Sequence, residues 1–154
     1  MITGSLPAPE IKPGIRYTAP DAHIIIVDDT RTNLFVASSL LKRTRISIDT
    51  AASASEFIEK AGRTVYDVMF VDYRMPGMDG LEAIGKLRAA GGPNADTPVV
   101  MMTADTDPAA MEQFKNSGIA YSISKPLDPV YYEAFVAAVL PQEKVILGKD
   151  PNIV

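Results

Sequence analysis

The stretch DVMFVDYRMPGMDG, residues 67–80, decides what kind of chain this is. Val68 to Val71 form an unbroken apolar run, too short for a helix and closed by the carboxylate of Asp72. A run of that length reads as a strand covered on both faces, as in a parallel sheet. Pro76 and Gly77 then supply turn chemistry, and Asp79, three residues ahead of Glu82, opens a helix. The unit is strand, loop, helix, with an acid where the strand stops.

The same unit recurs on either side. HIIIV (23–27) runs into Asp28-Asp29, TPVVMM (97–102) into Thr103, and AYSIS (120–124) into Lys125. With a shorter, mixed segment added, the expected strands are 23–28, 46–50, 67–72, 98–103 and 120–124. Between them apolar residues recur at helical spacing: Leu34, Ala37, Leu41; Leu81, Ile84, Leu87; Met111, Phe114; Tyr132, Phe135, Val139. Ser53 with Glu56 makes another capping box, and Asp107-Pro108 and Asp128-Pro129 each set an acidic cap before a first-turn proline. Helix stops follow at Gly91-Gly92, Gly118 and Pro141. Five alternations of strand and helix argue for an α/β fold, a doubly wound parallel sheet spanning 22–140. Residues 1–21 carry Pro7, Pro9, Pro13 and Pro20 with Gly4 and Gly14, which reads as an extended arm or linker. Residues 141–154 form a tail with one apolar patch, Val145–Leu147, able to dock or to fray.

At 154 residues the chain can bury a core as one domain. Its net charge of -4 argues against a nucleic-acid surface, which needs a basic face. No apolar run approaches a membrane span and no signal-peptide pattern opens the chain. The absence of cysteine removes disulfides, thiolate nucleophiles and zinc-thiolate sites. A cytoplasmic protein is the expectation.

In an open parallel sheet, chemistry collects beyond the carboxyl ends of the strands. Asp28 and Asp29 at such an end suit Mg²⁺, a hard cation that binds one or two carboxylates and keeps some of its water. Taken alone, the pair reads better as a helix cap plus a solvated acid. Asp72 can act as a nucleophile toward a phosphoryl donor, or as a metal ligand or cap. Thr103 can bond a phosphoryl oxygen, or simply end a strand. Lys125 can carry a point charge to phosphate, or remain an ordinary solvated lysine. The Lys125–Pro126 bond is a cis candidate. Carboxylates about 5 Å apart repel by roughly 3 kcal/mol at an effective dielectric near 20. Asp28→Ala or Asp72→Ala is therefore expected to raise the melting temperature without Mg²⁺. His23, the only histidine, begins a strand and is expected to be structural or partly exposed.

VDD, VDYRMPGMDG, TAD and SKP, in this order and spacing, make residues 22–140 resemble the receiver domain of two-component response regulators. That resemblance implies a flavodoxin-like, chemotaxis-regulator-like fold of five parallel strands flanked by five helices. It implies Mg²⁺-dependent transfer of a phosphoryl group from a histidine kinase or phosphotransfer protein onto Asp72. Asp29 would bind the cation directly, Asp28 largely through water, and Asp72 and the Arg74 backbone carbonyl would complete the ligands. Thr103 and Lys125 would hold the phosphoryl oxygens, with Thr103 swinging inward as a switch. Such a chain catalyses its own phosphorylation and dephosphorylation and is not a turnover enzyme by itself.

One departure stands out. The aromatic switch position three residues before the lysine holds Ser122, and Tyr121 lies one earlier on the opposite face. Arg74 and Asp105, two residues beyond the acceptor and the threonine, are expected to pair across the mouth and tune hydrolysis. The downstream target, or a second copy, would dock on the face formed by 107–140. The proline-rich arm resembles the linker before a receiver in a hybrid histidine kinase, so a stand-alone regulator and an excised receiver both remain open. A haloacid-dehalogenase-type phosphatase is disfavoured, because neither Asp28 nor Asp72 is followed two residues later by a second acid. A pseudo-receiver docking module is disfavoured because no member of the acceptor set is missing.

Overall fold

A computed structural model describes residues 10–104 and 108–148. Among them the main sheet holds β2 (His23–Val27), β3 (Ser47–Ala51), β4 (Val68–Asp72), β5 (Val99–Thr103) and β6 (Tyr121–Ser124), preceded by a short β1 (Tyr17–Thr18). The five strands are parallel and ordered β3-β2-β4-β5-β6. Five helices accompany them: α1 (Arg31–Ser39), α2 (Ala54–Ala61), α3 (Gly80–Ala89), α4 (Pro108–Asn116) and α5 (Pro129–Val139). The chain first winds from β2 outward to β3, then returns past β2 to β4. The crevice between the carboxyl ends of β2 and β4 is thus the topological switch point, where such sheets bind ligands.

Alternate strand residues feed two cores. Ile24, Ile26, Val68, Phe70, Val100 and Met102 belong to the cluster containing residues of α1 and α5. Ile25, Val27, Met69, Val71, Val99 and Met101 belong to the one containing residues of α2, α3 and α4. The sheet is covered on both faces, which is why its three central strands, β2, β4 and β5, are continuous apolar runs and not alternating ones.

Helix starts follow the local chemistry. Ser53 Oγ accepts the Glu56 N–H at 3.1 Å, Asp79 accepts the Glu82 N–H at 2.9 Å, and Asp128 accepts the Tyr131 N–H at 3.0 Å. Asp107, the expected cap of α4, lies outside the described residues. β2, β4, β5 and β6 each differ from expectation by one residue at one end, and two larger departures have a visible cause. α1 ends at Ser39, so the buried Leu41 sits in the turn that leads to a 3-10 segment at Lys42–Thr44, not on the helix. β3 starts one residue late, because Arg45 takes a left-handed φ of 62° and re-aims the chain before the buried Ile46.

The flanking segments are tied to the body. Tyr17–Thr18 pair antiparallel with β7 (Ile146–Leu147), and the buried Tyr17 hydroxyl donates to the Glu133 carbonyl at 2.7 Å. The Glu133 carboxylate is itself buried and accepts a two-pronged bond from Arg43. Lys144 Nζ reaches Asp67 at 2.8 Å, and Gln142 Nε2 donates to the last carbonyls of α5 at Ala137 and Leu140. The packed structure therefore extends on both sides of 22–140. Strands of two residues carry no readable period, so the sequence pattern missed them. Residues 1–9 and 149–154 lie outside the described residues.

His23 is half-buried, with Nε2 3.2 Å from Asp49 and its ring edge-on to Tyr66. Among the described residues no helix is long and apolar enough to cross a membrane.

Candidate functional site

Four of the five parallel strands deliver a polar residue to the same edge. Asp28 follows β2, Asp72 ends β4, Thr103 ends β5 and Lys125 follows β6. Asp28, Asp72 and Thr103 are buried, while Asp29 is exposed. Carboxylate oxygens of Asp28, Asp29 and Asp72 lie within 4.8 Å of one another. Lys125 Nζ sits 2.9 Å from Asp28 Oδ2 and 3.4 Å from Asp72 Oδ1, so one ammonium bridges two of the three acids. The Lys125 N–H also donates to the Thr103 carbonyl at 2.9 Å, which fixes the loop after β6 beside β5. The Lys125–Pro126 bond is cis. Asp28, Asp29, Asp72 and Lys125 thus come together at one place, with Thr103 ending the strand beside it.

Burial decides the electrostatics. Desolvation pushes Asp72 up to about 6; the Lys125 charge opposes this, the Asp28 carboxylate reinforces it, and the Arg74 backbone N–H donates to the carboxylate and opposes it. Burial alone would pull Lys125 down. Its bond to Asp28 and the charges of Asp72 and Asp28 outweigh that and hold it above the ordinary lysine range. The expectation that removing either acid stabilises the metal-free fold therefore divides. Asp72 carries the cost of desolvation, whereas Asp28 is anchored by Lys125 and by the Thr30 N–H at 2.9 Å.

A hard-oxygen set with one exposed carboxylate and two buried ones fits a small divalent cation that keeps part of its water. The site's floor depends on Gly80. A side-chain carbon there would lie 2.5 Å from the Asp72 carbonyl oxygen, and the Gly80 N–H donates to the Tyr73 carbonyl at 2.8 Å. Sequence reasoning had not singled out Gly80, although its place directly after the Asp79 cap was visible. It also missed Asn33, whose amide approaches both oxygens of Asp28.

The remaining expected residues lie further out. The Arg74 guanidinium stacks over the Tyr73 ring at 4.7 Å. Asp105, its expected partner, lies outside the described residues. Ser122 is exposed, with Oγ 3.8 Å from the Met111 sulfur. Tyr121 turns to the other face of β6 and meets the Phe135 ring edge-on at 6.3 Å.

A parallel sheet with its switch-point crevice lined by three acids and closed by a lysine defines a class. The chain belongs to the response regulator receiver domain family, whose model matches residues 24–136. Receivers of this family work with histidine kinases or phosphotransfer proteins. The chain is similar to the autoinducer 2 sensor kinase/phosphatase LuxQ of Vibrio harveyi, 28% identical over 114 residues. That match covers 73% of this chain and 13% of LuxQ, so the chain spans a small part of that relative's length. Among solved structures it resembles the chemotaxis protein CheY4 of Vibrio cholerae, with TM-score 0.72 and 28% identity over 77% of this chain and 98% of that one. It shares its fold with the receiver domain of a sensor histidine kinase from Pseudomonas aeruginosa, with TM-score 0.67 and 21% identity over 77% and 97% of the two chains. That structure has a magnesium ion coordinated in the active site cleft.

Proposed function

We propose that Asp72 is the phosphoacceptor of this receiver and that the acidic pocket takes Mg²⁺. Asp29 and Asp72 would hold the ion directly with the Arg74 carbonyl, and Asp28 would hold it through water. The convergence of Lys125 Nζ on both Asp28 and Asp72 carries this reading, because it places a fixed positive charge beside the acceptor oxygen. The donor set of the chain itself supports the cation, and the magnesium ion in the Pseudomonas relative agrees with it. When bound, the cation neutralises charge developing on the transferring phosphoryl group.

The residues divide the remaining work. Asp72, raised to about 6, is mostly ionised at neutral pH and can attack phosphorus. A new O–P bond forms, the P–N bond of a phosphohistidine breaks, and the leaving imidazole keeps the electron pair. Lys125 and the Thr103 hydroxyl meet the phosphoryl oxygens. Thr103 is the switch, with Ser122 or Tyr121 at the position that responds to it. The product adds nearly two negative charges beside Lys125, enough to bias a neighbouring surface. The face spanning α4, β6 and α5, where Val130 and Tyr131 are exposed, is the docking site for the target or for a second copy. The kinase relatives support service within a hybrid histidine kinase.

Incubation with Mg²⁺ and acetyl phosphate tests the central claim. The expected outcome is one added phosphoryl mass on Asp72, absent in Asp72→Asn. Labelling that survives in Asp72→Asn, or steady phosphate release from many monoesters, defeats the reading. Arg74 stands two residues beyond the acceptor, with its guanidinium over the Tyr73 ring, and Arg74→Ala is expected to speed loss of the phosphoryl group; an unchanged decay rate removes Arg74 from that role.

A further inference from the structure

Asp28 and Asp29 are neighbours in sequence, yet their carboxylates differ in what they can still bind. Asp28 is 2% exposed, and donors from three places already reach it. The Thr30 N–H meets Oδ1 at 2.9 Å, Lys125 Nζ meets Oδ2 at 2.9 Å, and Asn33 Nδ2 straddles both oxygens at 3.4 and 3.3 Å. A carboxylate offers about four lone-pair directions, so little of Asp28 is left for a direct bond to a cation. Asp29 is exposed, and among the described residues its carboxylate makes no hydrogen bond.

We propose that Asn33 is a positioning residue for the cation site, an inference that rests on reading Asp28, Asp29 and Asp72 as that site. Its amide holds the Asp28 carboxylate in an orientation that receives a cation-bound water, not the cation itself. The first turn of α1 places it there, and the same side chain borders a cavity of about 150 Å³ shared with Ile26, Val36, Lys125 and Leu127. Its two contacts are longer than those of Thr30 and Lys125, so it orients the carboxylate more than it binds it. Without Asn33, Asp28 can turn and offer an oxygen directly. Mg²⁺ demands near-octahedral geometry and gives up water reluctantly, whereas Ca²⁺ accepts six to eight oxygens in flexible arrangements. Asn33 therefore favours Mg²⁺ over Ca²⁺.

Calorimetric titration of the full chain with MgCl₂ and, separately, CaCl₂ tests this. Asn33 is exposed, so its replacement leaves the core intact. Asn33→Ala is expected to weaken Mg²⁺ binding about tenfold, the usual effect of losing a group that orients a ligand. Ca²⁺ binding falls less, and the preference for Mg²⁺ narrows. Asn33→Gln keeps the amide and restores wild-type behaviour toward both ions. Asn33→Ala that matches wild type, or that loses both ions equally, overturns the inference while the site reading stands. A wild-type chain that binds neither ion overturns both.

Discussion

At the residue scale, the two buried acids of the site are expected to act on stability in opposite directions. Asp72 has a folded-state pKa of about 6 against 3.8 unfolded, so the folded chain holds the proton more tightly. Its contribution is neutral below the unfolded value, and stability is lost as pH rises through that window to about 6. Two pKa units correspond to about 3 kcal/mol in metal-free buffer. Asp72→Asn is thus expected to raise the melting temperature at neutral pH, with the gain vanishing near pH 4, as thermal melts across that range will read. Asp28→Ala goes the other way. It removes the bonds from Lys125 and the Thr30 N–H, leaves Lys125 only its longer contact to Asp72, and is expected to cost about 2 kcal/mol, the usual loss for bonds to a charged group. The presence of both acids was legible at once, since each ends an apolar run. Their contrast was not, because it depends on a lysine 97 positions away from Asp28.

At the element scale, α4 is held to the acceptor loop by rings. Tyr73, the residue after Asp72, meets Phe114 of α4 at a centroid distance of 4.8 Å and an interplanar angle of 79°. Both side chains are buried. Phe114→Ala is expected to cost about 3–5 kcal/mol, the range for emptying an aromatic site in a core, measured by urea unfolding. The helical spacing of Met111 and Phe114 announced that α4 has an apolar face. It could not announce the partner, because β4 and α4 are separated by α3 and β5 in the chain. Caps were the opposite case. Ser53, Asp79 and Asp128 bond N–H groups three residues on, so the sequence alone located those starts.

At the scale of the whole molecule, the segments before β2 and after α5 close over α5 as a clasp. Tyr17→Phe removes one buried hydrogen bond to Glu133 while keeping the ring, and is expected to lower stability by about 1 kcal/mol in thermal or denaturant unfolding. An unchanged midpoint would mean that the clasp contributes packing alone. By itself the sequence determined the alternation of strands and helices, the caps, and the polar residue standing at each strand end. Those features come from side-chain identity and spacing over a few residues, where local sterics and hydrogen bonding act. Only the tertiary structure decided that Lys125 bridges Asp28 and Asp72, that Asp29 stays open while three donor groups reach Asp28, and that Tyr17–Thr18 pair with Ile146–Leu147. Each of these depends on which distant groups are brought together and how much water is excluded between them, and neither quantity exists until the sheet has assembled.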